Sequence, residues 1–494
     1  MTEVKEITLE EIADLSEVII YGAGVICKYF LQICKKFGIT PVLIFDKKYN
    51  KLTHFEGIPA ISLKYFEGAE KLKDKIVIIT VSGKANQKEI ADQLFKKGFK
   101  HVYILGKEFL KPVPETPRNL KHLNNTAEII KNEKGHYLKF IAFYLPQFHP
   151  IPENDKFWGK GFTEWHNVVR GKPRFKGHYQ PRLPTELGFY DLRVPEVQEE
   201  QVALAKEYGI YGFAFHFYWF QGKRLLERPI IQFIQNKNIN FPFCIHWANE
   251  HWTRRWDGLD HEILIEQKHS PEDDIKFIEY VAKTYFTHPN YIRIDGKPLL
   301  IIYKPSLFPD PRETVERLRE WCYKNGFGEI FLCNMHSLDW MDPREADFDA
   351  SIEYPPNAIL LNDVTEEIEI IDSNFGGRIL DYLSAIDQAY LYSPPSYKKF
   401  RGVFPDWDNE ARMKGRGRSF INSSPENFKK YLSIVCNFTI QHFKKEERLV
   451  FINAWNEWAE GCYLEPDEKY GRGYLKVIKE VLKFFENLKC STLE

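Results

Sequence analysis

Glu457 and Glu460, in Trp455-Asn-Glu-Trp-Ala-Glu-Gly461, are the carboxyl pair in this sequence best spaced for acid–base work. Breaking a glycosidic bond takes one carboxyl as acid and another as base or nucleophile, about 5 Å apart where configuration is retained. On an extended strand these two side chains would point to opposite faces. A turn at Glu457 brings an i,i+3 pair to about 5–6 Å, and Gly461 suits such a turn. The plainer alternative is a loop pair held in salt bridges.

A crowd of aromatic and polar residues accompanies the pair at the ends of apolar runs. Tyr144 and His149 follow one run, with Trp158, Glu164 and Trp165 close behind. His216 and Trp219 end the next; His246, Trp247, Asn249, Glu250 and Trp252 end a third. Glu353 and Trp407 close two more, and Asn456 and Trp458 flank Glu457. Of the 11 Trp, none lies before residue 158, and only Trp321 falls in a helical stretch. A single Trp is most often core. Ten at strand ends, among Asp, Glu, Asn and His, suit sugar rings, whose C–H faces stack on aromatics while hydroxyls take hydrogen bonds. All these residues are therefore candidates for substrate contact.

Other constellations are weaker. Asp406-Trp-Asp408 and Asp347-Phe-Asp349 match a metal-binding Asp-x-Asp pattern, but 69 acidic residues make such matches expected by chance. His246 and His251 lack a third ligand at useful spacing, so no metal is expected. Arg416 and Arg418 lie in a Gly-rich loop that either closes on an anionic group or is simply solvated. Near the N-terminus, Gly22-Ala-Gly24 follows an apolar run and opens a helix, with Asp46 about 22 residues on. That is the dinucleotide layout. Cys27 replaces its third glycine, however, and about 110 residues are short for a two-halved site. A structural or docking role is expected there, with a bound nucleotide as the alternative.

Two kinds of scaffold must position these residues. Residues 1–112 alternate strand runs (18–21, 41–46, 76–81, 101–105) with helical patterns (to about 37, and 87–97), which implies a small Rossmann-like parallel α/β domain. Residues 113–136 read as a linker. From 137 to 494, apolar runs recur at 138–144, 212–217, 241–247, 299–303, 330–334, 350–353, 400–404 and 449–454. Eight strands with helical spacers predict a (β/α)8 TIM-type barrel, whose active site forms at the C-terminal strand ends.

Composition sets outer limits. Lys+Arg 68 against Asp+Glu 69 gives a net charge of -1, which argues against nucleic-acid binding by bulk charge. Eight scattered cysteines without a CxxC pair read as reduced thiols, and no apolar run reaches a membrane span. The acidic first thirty residues carry no signal-peptide core, so a cytoplasmic location is expected. The partner expected is an oligosaccharide or polysaccharide; oligomeric state stays open.

The segments Phe143-Tyr-Leu-Pro-Gln-Phe-His-Pro150, Gly161-Phe-Thr-Glu-Trp-His-Asn-Val168, Gly188-Phe-Tyr-Asp-Leu-Arg193, Trp247-Ala-Asn-Glu250 and Asn456-Glu-Trp-Ala-Glu-Gly461 together resemble the WbsX-type family, a relative of glycoside hydrolase family 99. The resemblance spans about residues 137–488. It implies a (β/α)8 barrel, work on α-mannoside-like sugars, and a place in O-antigen or capsule metabolism, with no cofactor required. It also implies retention through attack by the sugar's own 2-hydroxyl. Glu457 would take the 2-hydroxyl proton, and Glu460 would protonate the leaving oxygen. Ala459 stands where family 99 has His, which bears on sugar specificity. Hydrolysis and glycosyl transfer both remain open, as do a non-catalytic glycan-binding barrel and a nucleotide-sugar transferase or oxidoreductase using Gly22, Gly24 and Asp46.

Overall fold

A computed structural model describes residues 4–105, except 8–10, 13–14, 24–25, 28–29, 32–33, 35–37, 50, 67–69 and 82–83, and residues 138–487, except 255–258 and 338–341. The expected linker, Gly24, and parts of the first helical pattern lie outside the described residues, as do Trp256 and Trp340.

The N-terminal sheet comprises β1 (Glu6–Ile7), β2 (Glu17–Tyr21), β3 (Thr40–Phe45), β4 (Thr53–Phe55), β5 (Ile58–Ile61), β6 (Ile76–Ile79) and β7 (His101–Leu105). Its order is β1-β7-β6-β2-β3-β5-β4, parallel except where β4 runs antiparallel to β5. Val18 and Ile20 pack into one apolar cluster and Ile19 and Tyr21 into another. Burial on both faces explains why these strands read as unbroken apolar runs. A helix, Lys84–Lys96, fills the second helical pattern. The β4–β5 hairpin escaped the pattern because it is short and turns on Glu56 and Gly57, both at positive φ. At the glycine loop, Gly22 adopts φ 108° and donates to the Phe45 carbonyl. The Asp46 carboxylate accepts from the backbone N–H of Ala23 (2.7 Å) and of Lys48 (3.0 Å), so it holds the loop shut on itself.

The second unit is a closed barrel. Its strands are Lys139–Tyr144, Ile210–Phe220, Phe243–Trp247, Lys297–Ile302, Phe331–His336, Ala350–Glu353, Lys399–Val403 and Leu449–Ile452. Each pairs in parallel with the next, and the first pairs with both the second and the eighth. All eight expected runs are strands in this ring. Helices cover the outside: three of them, Pro271–Val281, Pro311–Lys324 and Pro425–His442, start with Pro after a capping Ser270, Asp310 or Ser424 whose oxygen accepts from the third backbone N–H. That pairing supplies an acceptor and a preset φ where the helix needs both. Between the fifth and sixth strands the described connection is a single 3-10 turn, Pro343–Ala346. No helix among the described residues is long and apolar enough to cross a membrane.

Candidate functional site

The chain leaving the eighth strand turns where the glutamate spacing requires it. Asn456–Glu457 pairs antiparallel with Cys462–Tyr463, with Asn456 opposite Tyr463 and Glu457 opposite Cys462. A 3-10 turn, Trp458–Glu460, joins them, and Gly461 closes it at φ 59°. A Cβ on Gly461 would come within 2.8 Å of the Asp408 Cβ and 2.9 Å of the Arg182 Nε. Gly461→Ala is therefore expected to lower the unfolding free energy by about 2 kcal/mol or more, and to displace Glu460. Denaturant unfolding beside an activity assay checks both.

Asn456 stitches this turn to the first strand: Leu145 N–H donates to its Oδ1 (2.7 Å), and its Nδ2 donates to Leu145 O (3.0 Å). Trp458 stacks on Tyr463 with ring centroids 3.8 Å apart and donates to Glu465 at 2.6 Å. Gln201 and the Tyr190 hydroxyl also donate to Glu465, whose pKa burial nonetheless lifts to about 7.

The centre of the site is Arg412, on the short helix Glu410–Met413 after the seventh strand. Its Nη1 lies 2.6 Å from Glu460 Oε1, and its Nη2 lies 3.1 Å from Glu457 Oε2 and 3.2 Å from Glu164 Oε2. One guanidinium thus gathers three carboxyls contributed by two different loops. Burial lifts the Glu457 carboxyl to about 8; Arg412 opposes this, while Glu460 and Glu164 add to it. Burial likewise raises the pKa of Glu164 against the pull of Arg412. With Glu457 lifted to about 8 among three carboxyls and one cation, the cluster can keep a proton near neutrality, which is the condition for acid–base work.

The Asp-x-Asp segment after the seventh strand anchors this assembly. Asp408 accepts from Gln180 Nε2 and Ser419 Oγ, both at 2.8 Å, and lies 2.8 Å from His178 Nε2 and 3.3 Å from Arg182 Nη2. Its backbone N–H donates to the Glu460 carbonyl at 2.6 Å. Arg182 Nη1 reaches Asp406 at 2.6 Å. Burial alone would raise the Asp408 pKa, but His178, Arg182 and Gln180 outweigh it and hold the carboxyl well below the usual range. A depressed folded pKa stabilises above the ordinary aspartate range and is lost as pH falls through it. Asp408→Asn is expected to cost about 3 kcal/mol at pH 7 and less at pH 3, readable as a pH-dependent shift in urea midpoint. Asp349, of the other such segment, takes hydrogen bonds from Arg319 and Leu332 N–H. Among the described residues no three His, Cys, Asp or Glu side chains are grouped to hold a metal.

Glu457, Glu460 and Arg412 line a cavity of about 580 Å³ at the C-terminal end of the barrel, with Trp158, Tyr218, Trp252, Tyr303, Tyr354 and Trp407 in its walls. That volume accommodates a sugar chain of small size. Of the sequence candidates, His216, His246, Glu250, Trp252 and Trp407 also line it. The others lie behind the walls. Tyr144 is buried and donates to Gln201; Trp165 donates to the Tyr190 carbonyl, and Trp219 to Asp273. Trp247 stacks on Phe277 at 3.8 Å. Asn249 bonds the Lys304 backbone, and Glu353 pairs with Arg401 at 2.6 Å. His149 is buried and its pKa falls to about 4. Trp458 and Asn456 hold the turn. These nine side chains, and Glu164 buried against Arg412, brace the cavity rather than face it. Arg412, Tyr218, Tyr303 and Tyr354 were not singled out in the sequence. Tyr303 and Tyr354 sit one residue past the fourth and sixth strands, and that placement was the available signal.

A profile of the family described as Glycosyltransferase WbsX matches residues 140–478. Two curated relatives, both uncharacterised proteins WxcX from strains of Xanthomonas campestris pv. campestris, are 48% identical over 342 residues, 69% of this chain. The chain spans about half their length, 49%. Among solved structures, a glycoside hydrolase-like protein is 16% identical with a TM-score of 0.47, over 71% of this chain and 95% of its own. The GH99 endo-alpha-mannosidase from Bacteroides thetaiotaomicron is 16% identical with a TM-score of 0.43, over 71% and 98%. With the profile covering well over half its length, the chain belongs to the Glycosyltransferase WbsX family of carbohydrate-active proteins.

Proposed function

We propose that this protein cleaves or transfers a glycosyl unit with retention of configuration, acting on an α-mannoside-like sugar in cytoplasmic assembly of a bacterial surface polysaccharide. The observation that carries the reading is the meeting of Glu457 and Glu460 at Arg412 in the wall of an aromatic-lined cavity. In the form of the pair whose one proton sits on Glu460, Glu457 takes the proton of the sugar 2-hydroxyl as that oxygen bonds to C1. Glu460 gives its proton to the departing glycosidic oxygen, leaving a 1,2-anhydro sugar. Ionised Glu460 then takes a proton from water or an acceptor hydroxyl, whose oxygen opens the strained ring at C1. Glu457 returns its proton to O2. A base lifted toward neutrality is the stronger base once ionised, and Arg412 holds both carboxyls in place throughout. The N-terminal sheet serves as a structural or docking module on this reading, supported by the engagement of Asp46 with its own loop.

Mass spectrometry of the protein with α-mannoside oligosaccharides, with and without nucleotide sugars, tests the reading. Products lighter by whole sugars establish hydrolysis; products heavier by one sugar, only with a nucleotide sugar, establish transfer. Unchanged masses in every mixture reject it in favour of a glycan-binding barrel.

A further inference from the structure

The buried hydrogen-bonding atoms of the cavity lining that lack a protein partner have one chemistry. Among the described residues, five lining side chains carry buried polar atoms with no protein partner: His216 Nε2, His246 Nδ1 and Nε2, Gln147 Oε1, Asn154 Nδ2 and Trp407 Nε1. All five groups are uncharged. Burial, and then the charge of Arg412, pushes the His216 ring down to about 3, and burial, with His216 beside it, holds the His246 ring well below the ordinary imidazole range, so both imidazoles are neutral at working pH. The two rings meet edge to face, with centroids 4.7 Å apart, beside Phe143.

The cations of the same cavity are engaged elsewhere. Arg412 holds three carboxyls, Lys304 lies 2.8 Å from Glu250, and Arg418 bonds Asn357 over the Trp407 ring. The neutral His246 ring offers one donor and one acceptor, His216 Nε2 is either one according to its tautomer, Gln147 Oε1 only accepts, and the Trp407 and Asn154 nitrogens only donate. A hydroxyl donates and accepts, and so satisfies this mixed set. A carboxylate or phosphate only accepts: it would leave the imine nitrogens and Gln147 Oε1 unpaired, and would be buried beside Glu457 and Glu460, where the cations of the cavity lining among the described residues are already engaged.

We propose that the reacting glycosyl unit is an uncharged sugar whose hydroxyls are read by His216, His246, Gln147, Asn154 and Trp407, and that these same groups exclude uronates and other anionic sugars. This rests on the assignment of Glu457 and Glu460 to the reaction.

The test uses the full chain with ¹⁵N-labelled histidines, titrated with methyl α-mannoside, methyl α-glucoside and methyl α-galactoside and with the corresponding methyl uronosides. Glu457→Gln protein is titrated in parallel to exclude turnover. Neutral glycosides are expected to move the His216 and His246 ring resonances, and uronosides to leave both in place. His246→Phe, which keeps the aromatic packing, is expected to weaken the neutral ligand by about 10- to 100-fold, the effect of one or two unpaired hydrogen bonds. His246→Gln, which keeps a donor and an acceptor, is expected to recover part of it. Uronosides that bind as well as neutral glycosides overturn the proposal. So do ring resonances that no sugar moves, or a His246→Phe protein that binds as tightly as the parent. Product masses are read separately: turnover with unmoved rings defeats this proposal alone, whereas moved rings without turnover defeat the assigned reaction.

Discussion

Glu457→Gln and Glu460→Gln each lower kcat/KM on an oligosaccharide by about 10³-fold or more, with the fold retained. The amide keeps the shape of the carboxyl and a contact to Arg412 but cannot exchange a proton, and positioned acid–base groups contribute about 10²–10⁴ in rate. The two losses separate when the leaving group changes. A dinitrophenyl glycoside departs without protonation, so Glu460→Gln recovers most of its first-step rate on that substrate. Glu457→Gln stays slow, because deprotonation of the 2-hydroxyl is required whatever leaves. Steady-state rates on both substrates for both variants check this. Equal recovery in the two variants overturns the division of roles, and recovery by Glu457→Gln alone inverts it.

Arg412→Met has the largest expected effect on stability. It strands Glu164, Glu457 and Glu460 around a vacated cation, and breaking a buried pair on one side typically costs about 3–5 kcal/mol. Part of that loss is relieved by protonation, so the variant is most destabilised at alkaline pH. Arg412→Lys keeps the charge without the two-pronged geometry and tests the site where the methionine variant fails to fold. The pH profile carries the sign. In the parent protein, kcat/KM falls as pH rises through about 8, where Glu457, held there by burial, ionises and the pair loses the one proton the reaction needs. Arg412→Lys, with its charge less closely held, moves that limb to higher pH. Glu164→Gln removes a negative neighbour and moves it lower. Opposite or absent shifts would falsify the electrostatic account of this cluster.

The barrel was legible because its strands are buried runs of β-branched and aromatic residues with clear breaks between them; Phe243–Trp247 and Leu449–Ile452 read directly. The turn at Glu457 was legible for a local reason as well, since Gly461 supplies the positive φ that ends it. Trp was an ambiguous signal. Trp158, Trp252 and Trp407 line the cavity, but Trp165, Trp219, Trp247, Trp455 and Trp458 are buried behind it, and residue type alone does not say which face an indole meets. Arg412 was hidden for a different reason. It sits in an ordinary helical tetrapeptide, and its role arises only when a loop from the seventh strand crosses carboxyls from the loops after the first and eighth. The arginines that stood out, Arg416 and Arg418, did so through their glycine neighbours, and of these Arg418 reaches the cavity wall.

The shared guanidinium also shapes which sequences can replace this one. Glu164, Arg412, Glu457 and Glu460 balance one another, so the penalty for changing any member depends on what the others are. Glu164→Gln combined with Arg412→Met removes a stranded charge along with its partner, and the pair is expected to destabilise by less than the sum of the two single changes. A library randomised at one of these positions would find few variants that keep both the fold and the reaction, while one randomised at two would find neutral and apolar combinations that fold well and have lost the reaction. For anyone redesigning this protein, the unit of change here is the quartet, not the residue.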